Sequence, residues 1–142
     1  MRHLLALVVV MGSLAISGCV TTPIPPVDPA KAWIDLTMTD GKVIMAEDLD
    51  KVRLNDGRYF QVTPGAHELL VRFDFDIYAG SGGSLDFLGA ERICYLTVRY
   101  EGFKAGERYR LEARSLGMMP MARLYDSHKQ KVAEDSDIHC LL

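Results

Sequence analysis

Apolar and polar side chains alternate through the second half of the chain. Over residues 71–77, Val71, Phe73, Phe75 and Ile77 share one parity, and Arg72, Asp74 and Asp76 share the other. Successive strand residues point to opposite faces, so this period of two predicts a strand with one buried and one wet face. Cys94, Leu96, Val98 and Tyr100 repeat the pattern against Tyr95, Thr97 and Arg99. Tyr109, Leu111 and Ala113 repeat it against Arg108, Arg110, Glu112 and Arg114. Shorter strands are predicted over 33–38, 52–54, 59–62, 121–125 and 130–133. Asp56-Gly57 reads as a hairpin turn between two of them, because a tight turn needs positive φ. Pro64-Gly65 suits a type II turn ahead of the long strand. Residues 46–50 read as a short helical turn, and nothing after residue 30 sustains a helical period with caps. The expected fold is all-β, an antiparallel two-sheet β-sandwich over residues 31–142.

The first thirty residues break this pattern. A mainly apolar run from Leu4 to Ile16 follows Arg2. It is shorter than the roughly 20 residues a spanning helix needs and has the proportions of a secretory signal. It ends in Ile16-Ser17-Gly18-Cys19. That run resembles the lipobox of bacterial lipoproteins, an aliphatic residue and two small residues before the cysteine that receives lipid. The resemblance implies a signal peptide over 1–18 and a mature chain starting at a Cys19 that carries fatty-acyl chains such as palmitate. An uncleaved signal-anchor with an incidental cysteine is the alternative. Each buried methylene contributes about 0.8 kcal/mol, so several chains anchor durably. Val20, rather than aspartate, follows Cys19, which in such lipoproteins implies release to the outer membrane, with the domain in the periplasm. Residues 19–30 hold Pro23, Pro25, Pro26 and Pro29 and read as a tether. Ten residues of extended polyproline geometry reach roughly 30 Å.

Charge narrows the partners. The chain carries 16 Lys and Arg against 19 Asp and Glu, and losing Arg2 takes the formal charge from −3 to −4. There is no basic stripe, and nucleic-acid binding is disfavoured. With Cys19 assigned to lipid, Cys94 and Cys140 are the remaining pair, and an oxidising periplasm allows a disulfide between them. Two free thiols or metal ligands are the alternatives. His139-Cys140 has no companion pair at ligand spacing, so no metal or other cofactor is expected.

Other candidate chemistry is sparse. His67 reads as structural, facing inward or capping the Pro-Gly turn, since no nucleophile stands at a recognisable spacing. His128 and His139 read as solvent-facing. Asp74 and Asp76 satisfy the separation for glycoside hydrolysis, but nothing offers the apolar pocket that would raise one pKa. The glycines of 79–84 lack the Lys-Ser/Thr ending of a phosphate loop and read as a loop. Ser81 in that loop, with Leu85, Phe87 and Leu88 after it, forms the candidate partner contact. Met118, Met119 and Met121 would suit copper(I) as soft ligands, but their spacing is that of a turn leading into a strand.

The run from Tyr59 to Val71, with Thr63-Pro64-Gly65-Ala66-His67 at its centre, resembles the strand, Pro-Gly turn, His, strand signature of PEGA-like surface domains. Cys94 to Tyr109, with Lys104-Ala105-Gly106-Glu107 between strands, is similar to small proteobacterial lipoproteins carrying such a domain. The likeness covers about residues 51–126, and the 76–91 insertion departs from it. It implies a non-catalytic β-sandwich at the cell envelope and transfers no functional residues. The expected function is therefore an outer-membrane-anchored lipoprotein whose domain contacts an envelope protein or the cell wall. A lipid-anchored inhibitor of a lytic enzyme such as lysozyme is the alternative, and a hydrolase a further one.

Overall fold

The computed structural model describes residues 21–38, 42–77 and 90–141. Cys19 and the signal-like segment, and the candidate contact residues Ser81, Leu85, Phe87 and Leu88, lie outside the described residues. The described chain is all-β and contains no helix: β1 (Ala32–Met38), β2 (Val43–Leu49), β3 (Val52–Arg53), β4 (Tyr59–Val62), β5 (Gly65–Ile77), β6 (Ala90–Phe103), β7 (Arg108–Leu116), β8 (Met119–Tyr125) and β9 (Lys131–Cys140). They form one hydrogen-bonded sheet in the order β3-β2-β5-β6-β9-β8-β7-β1-β4.

The sheet is mixed. Antiparallel pairing was expected throughout, yet β1 runs parallel to β7, from Trp33 opposite Arg108 to Met38 opposite Ala113. The other pairings are antiparallel. The reason is topological: β1 enters between β7 and β4, far along the chain from β7, so no short turn fixes their relative direction.

β9 holds the two halves of the sheet together. Its first part pairs with β8, from Tyr125 opposite Lys131 to Arg123 opposite Glu134. Its second part pairs with β6, from Val98 opposite Asp135 to Cys94 opposite Cys140. Where it changes partner, side chains fill the ladder. The Asp135 carboxylate accepts from the Ala122 amide at 2.8 Å, and the Ser136 hydroxyl donates to the Thr97 carbonyl at 3.2 Å. Backbone groups that would otherwise lack partners are thereby satisfied.

One face of this sheet closes around a single core. Ile34, Phe60, Phe73, Leu96, Leu111 and Leu124, from six different strands, are fully buried in one cluster. Burying each such side chain contributes roughly 1.5–3 kcal/mol, and this is why the alternating parity sets the strands. The two ends of the strand order also meet. The Ala46 amide of β2 donates to the Gly57 carbonyl at 2.8 Å, and the Leu54 amide donates back to Glu47 at 2.8 Å.

That closure overturns the hairpin expected at Asp56-Gly57. β3 turns back on β2, and β4 pairs with β1 at the far end of the order, so residues 54–58 cross between them. Gly57 is not among the positive-φ residues. A Cβ on it would stand 3.2 Å from the Ala46 carbonyl oxygen and 3.3 Å from the Met45 Cβ, so glycine serves close approach instead. The tight hairpin lies earlier, at Asp50-Lys51, where φ of 51° and 66° at two successive residues gives the type I′ twist that suits a two-residue loop.

The helical turn expected at 46–50 is instead the end of β2, over 46–49, followed by the turn at Asp50. The β2–β5 register slips between Ala46 and Asp48, leaving Glu47 as the extra residue of a bulge. The bulge moves the inward apolar positions to Ile44, Ala46 and Leu49, which breaks the period of two. Proline-rich residues 21–31 run against the domain. Arg58 Nη2 donates to the Thr22 carbonyl at 2.9 Å, and Gly106 donates to the Lys31 carbonyl at 2.9 Å.

Candidate functional site

Strand directions sort the turns to two ends. At one end lie the Asp50-Lys51 turn, Thr63 to Gly65, the β6–β7 connection and the loop after Tyr125. At the other end lie the exits of β1 and β5, the starts of β2 and β6, the β7–β8 turn and the chain end after β9.

The first end is built from polar locks. His67 Nδ1 stands 2.6 Å from Asp50 Oδ2, and its Nε2 stands 2.8 Å from the Thr63 carbonyl oxygen. The ring thus ties the Pro64-Gly65 turn to the β2–β3 hairpin. Asp50 Oδ1 also accepts from the Glu68 amide at 2.8 Å. Burial pushes the Asp50 carboxyl up, but the Glu68 amide and His67 outweigh it and hold the group below its usual value. Among the described residues, no serine, threonine or cysteine is hydrogen-bonded to the ring except Thr63, the residue that closes the turn, so the cluster has the connectivity of a clasp.

The carboxylates Asp74 and Asp76 do not act together. Asp74 is buried and takes a two-point contact from Arg72, at 2.8 and 2.7 Å, while Asp76 is exposed. His128 and His139 are exposed. Among the described residues, no three His, Cys, Asp or Glu side chains stand together as a metal site.

Cys94 and Cys140 are joined in a disulfide. They are direct cross-strand partners of β6 and β9, and Cys94 lies in the core. The bond stands toward the second end and fastens the last strand there.

The sequence matches no protein-family model, and no curated protein and no solved structure is found to be similar to it.

β7 and β8 are joined there by Gly117-Met118, with Leu116 opposite Met119. Gly117 has φ 60° and Met118 does not share the positive φ, the pattern of a type II′ hairpin. Leu116, Met118 and Met119 are 74%, 57% and 69% exposed. Met38, Val43, Ile138 and Leu141, also exposed, lie at strand ends on the same side of the molecule. Below the hairpin an open groove of about 540 Å³ is lined by Lys42, Glu112, Arg114, Ser115, Leu116, Met121 and Arg123. Lys42 Nζ donates to Ser115 Oγ at 2.7 Å and lies 5.9 Å from the centre of the Phe73 ring. Glu112 pairs with Arg114 and stands 3.8 Å from Arg110.

Sequence reasoning placed the disulfide cysteines and treated Met118, Met119 and Met121 as packing residues. It passed over Leu116, Lys42, Arg114 and Arg123. The available signal was Leu116-Gly117-Met118-Met119 itself, an apolar run across a turn where polar residues are the rule.

Proposed function

We propose that the chain is a lipoprotein of the bacterial cell envelope, held in the outer membrane through an acylated Cys19. Its domain, residues 31–142, acts as a non-catalytic binding module for an envelope protein or the cell wall on the periplasmic side. The observation that carries this reading is the Cys94–Cys140 bond. Such bonds persist in oxidising compartments. The bond accounts for two of the three cysteines and leaves Cys19, at the end of the signal-like run, for lipid.

The module is read as a two-sheet sandwich of PEGA-like kind. On this reading β3-β2-β5-β6 form one layer, β8-β7-β1-β4 form the other, and β9 is the shared corner strand. The polar clasps at one end, where the His67 ring is engaged by Asp50 and by the turn residue Thr63, favour recognition over chemistry.

The test is the N-terminus of the protein purified from native envelopes. Mass spectrometry should find no peptide before Cys19 and a Cys19 peptide heavier by its acyl groups. Cys19→Ala should move the protein out of the membrane fraction. A mature chain that still begins at Met1 with a free Cys19 thiol refutes the anchor. Crosslinking in the same envelopes identifies the partner.

A further inference from the structure

We propose that the β7–β8 hairpin is a docking surface for an anionic lipid bilayer, with Leu116, Met118 and Met119 entering the acyl layer and Lys42, Arg114 and Arg123 meeting headgroup phosphates.

The tip is apolar and convex. A two-residue turn presents its side chains outward as a wedge, and all three are more than half exposed. Together they offer a few hundred Å² at most, well under the roughly 800 Å² per partner of a standard protein interface. A protein would have to supply a matching pocket, whereas a bilayer deforms around a wedge.

The charges lie where a bilayer needs them. Arg114 precedes Leu116 by two residues on β7, so its backbone sits about 7 Å behind the tip at strand rise. Interfacial elements bury apolar groups roughly 5–10 Å into the headgroup–acyl boundary, which places this cation at phosphate depth when the tip is inserted. The groove at that level takes three cations and a single carboxylate, Glu112, together with apolar Leu116 and Met121. Arg114 and Arg110 share Glu112, and Lys42 bonds a neutral hydroxyl. Arg123 stands opposite Glu134 in the register, but Glu134 accepts from Lys131 at 2.7 Å. Among the described residues the groove is therefore net positive, complementary to anionic headgroups.

The surface stands independently of the Cys19 anchor, and both can engage one membrane. Arg58, which holds Thr22, precedes Tyr59, the partner of Asp35, itself level with Arg110 on β7. From there to the tip is about five strand positions, or roughly 16 Å, of which about 7 Å lies beyond phosphate depth when the tip is inserted; the remaining distance, about 9 Å, is within the roughly 10 Å that three extended residues between Thr22 and Cys19 would span.

The test uses the full chain carrying Met118→Trp, mixed with vesicles of three parts phosphatidylcholine to one part phosphatidylglycerol whose acyl chains are brominated. Trp33, the single native tryptophan, is buried and stacked on Tyr59 and gives a constant background. Val52→Trp, on exposed β3 at the other end, is the control. Fluorescence quenching should be at least about threefold stronger at position 118 than at 52, as insertion within acyl depth requires. Combining Met118→Trp with Arg114→Glu and Arg123→Glu should bring it to the control level, with circular dichroism confirming the fold. No quenching at 118, equal quenching at both positions, or equal quenching without phosphatidylglycerol overturns the proposal. The Cys19 peptide mass on the same sample reports the anchor separately: an acylated Cys19 with an unquenched tip sinks the docking surface alone, and an unmodified Cys19 with a quenched tip sinks the anchor alone.

Discussion

Replacing Cys94 and Cys140 together by alanine tests how the last strand is held. The bond closes a loop with a sequence separation of 46, for which chain entropy gives about 4 kcal/mol as an upper figure. An unfolding entropy of about 2.1 cal/mol/K per residue, over a domain of roughly 110 residues, converts that into a fall in Tm of about 17 °C. The loss should also be uneven along β9. Val132 and Ala133, in its first part, pack against the core, whereas residues 136–139 are exposed. That second part is held by its ladder to β6 and by the disulfide. Amides there should therefore exchange with solvent well before those of the first part once the bond is gone. Calorimetry gives the first quantity and amide exchange with residue resolution the second. A Tm within two or three degrees of the parent, with residues 136–140 still protected, would refute the reasoning and assign the strand's hold to the ladder alone.

Acid should destabilise the domain in a defined window. The Arg108 guanidinium holds the Asp35 carboxyl below its usual 3.8 against the effect of burial, with the Trp33 indole N–H adding to it, and Asp50 is lowered as well. A carboxyl whose pKa is lowered by folding stabilises fully above its unfolded value and loses that contribution as pH falls through the folded one. The urea midpoint should thus be flat from neutrality to about pH 5 and fall below about pH 4, less steeply in Asp35→Asn; an unchanged slope in that variant removes Asp35 from the account. Gly57→Ala should cost about 1–3 kcal/mol by overpacking, because its neighbours at 3.2 and 3.3 Å are a backbone oxygen and a Cβ; a urea melt indistinguishable from the parent would show that the crossover yields freely. Phe73→Ala should cost about 3–5 kcal/mol, since the ring is fully buried and stacks on Phe75 at 5.1 Å; a loss below about 1 kcal/mol would place the core elsewhere.

The strands that could be read from the sequence are those with a clean period of two. β4 has the expected bounds, and β5, β6, β7 and β8 extend their expected cores. β2 was hidden because its bulge at Glu47 breaks the parity on which such reading depends. The second part of β9 was hidden because Glu134 to Asp137 carry no apolar alternation. Its place is set by the ladder to β6, by Asp135 and Ser136, and by a disulfide from a distant strand. The parallel β1–β7 pairing leaves no local trace, because its direction follows from where β1 is inserted in the order. Asp56-Gly57 carried a true glycine requirement with a different cause, steric approach in place of positive φ. For the candidate surface, hydrophobic positions were read as core by default. Only the fold shows that Leu116 and Met119 end a hairpin and face water.

The two ends of the molecule obey different rules, and the contrast bears on function. At the first end each turn is closed by polar side chains. Asp126 Oδ1 accepts the amides of His128 and Gln130 at 2.9 and 2.8 Å, and Asp50 locks His67 and Glu68. Aspartate is favoured in turns because its carboxylate bonds nearby amides. The β7–β8 turn has no such device. Gly117 alone supplies the required φ, and Met118 contributes nothing to the backbone geometry. A polar residue at 116, 118 or 119 would leave the ladder intact and improve solubility, because none of the three belongs to the buried cluster. Folding therefore gives no reason for three large apolar side chains to stand in water at this tip. The proposed bilayer contact would, and the cations lining the groove behind the tip fit anionic headgroups.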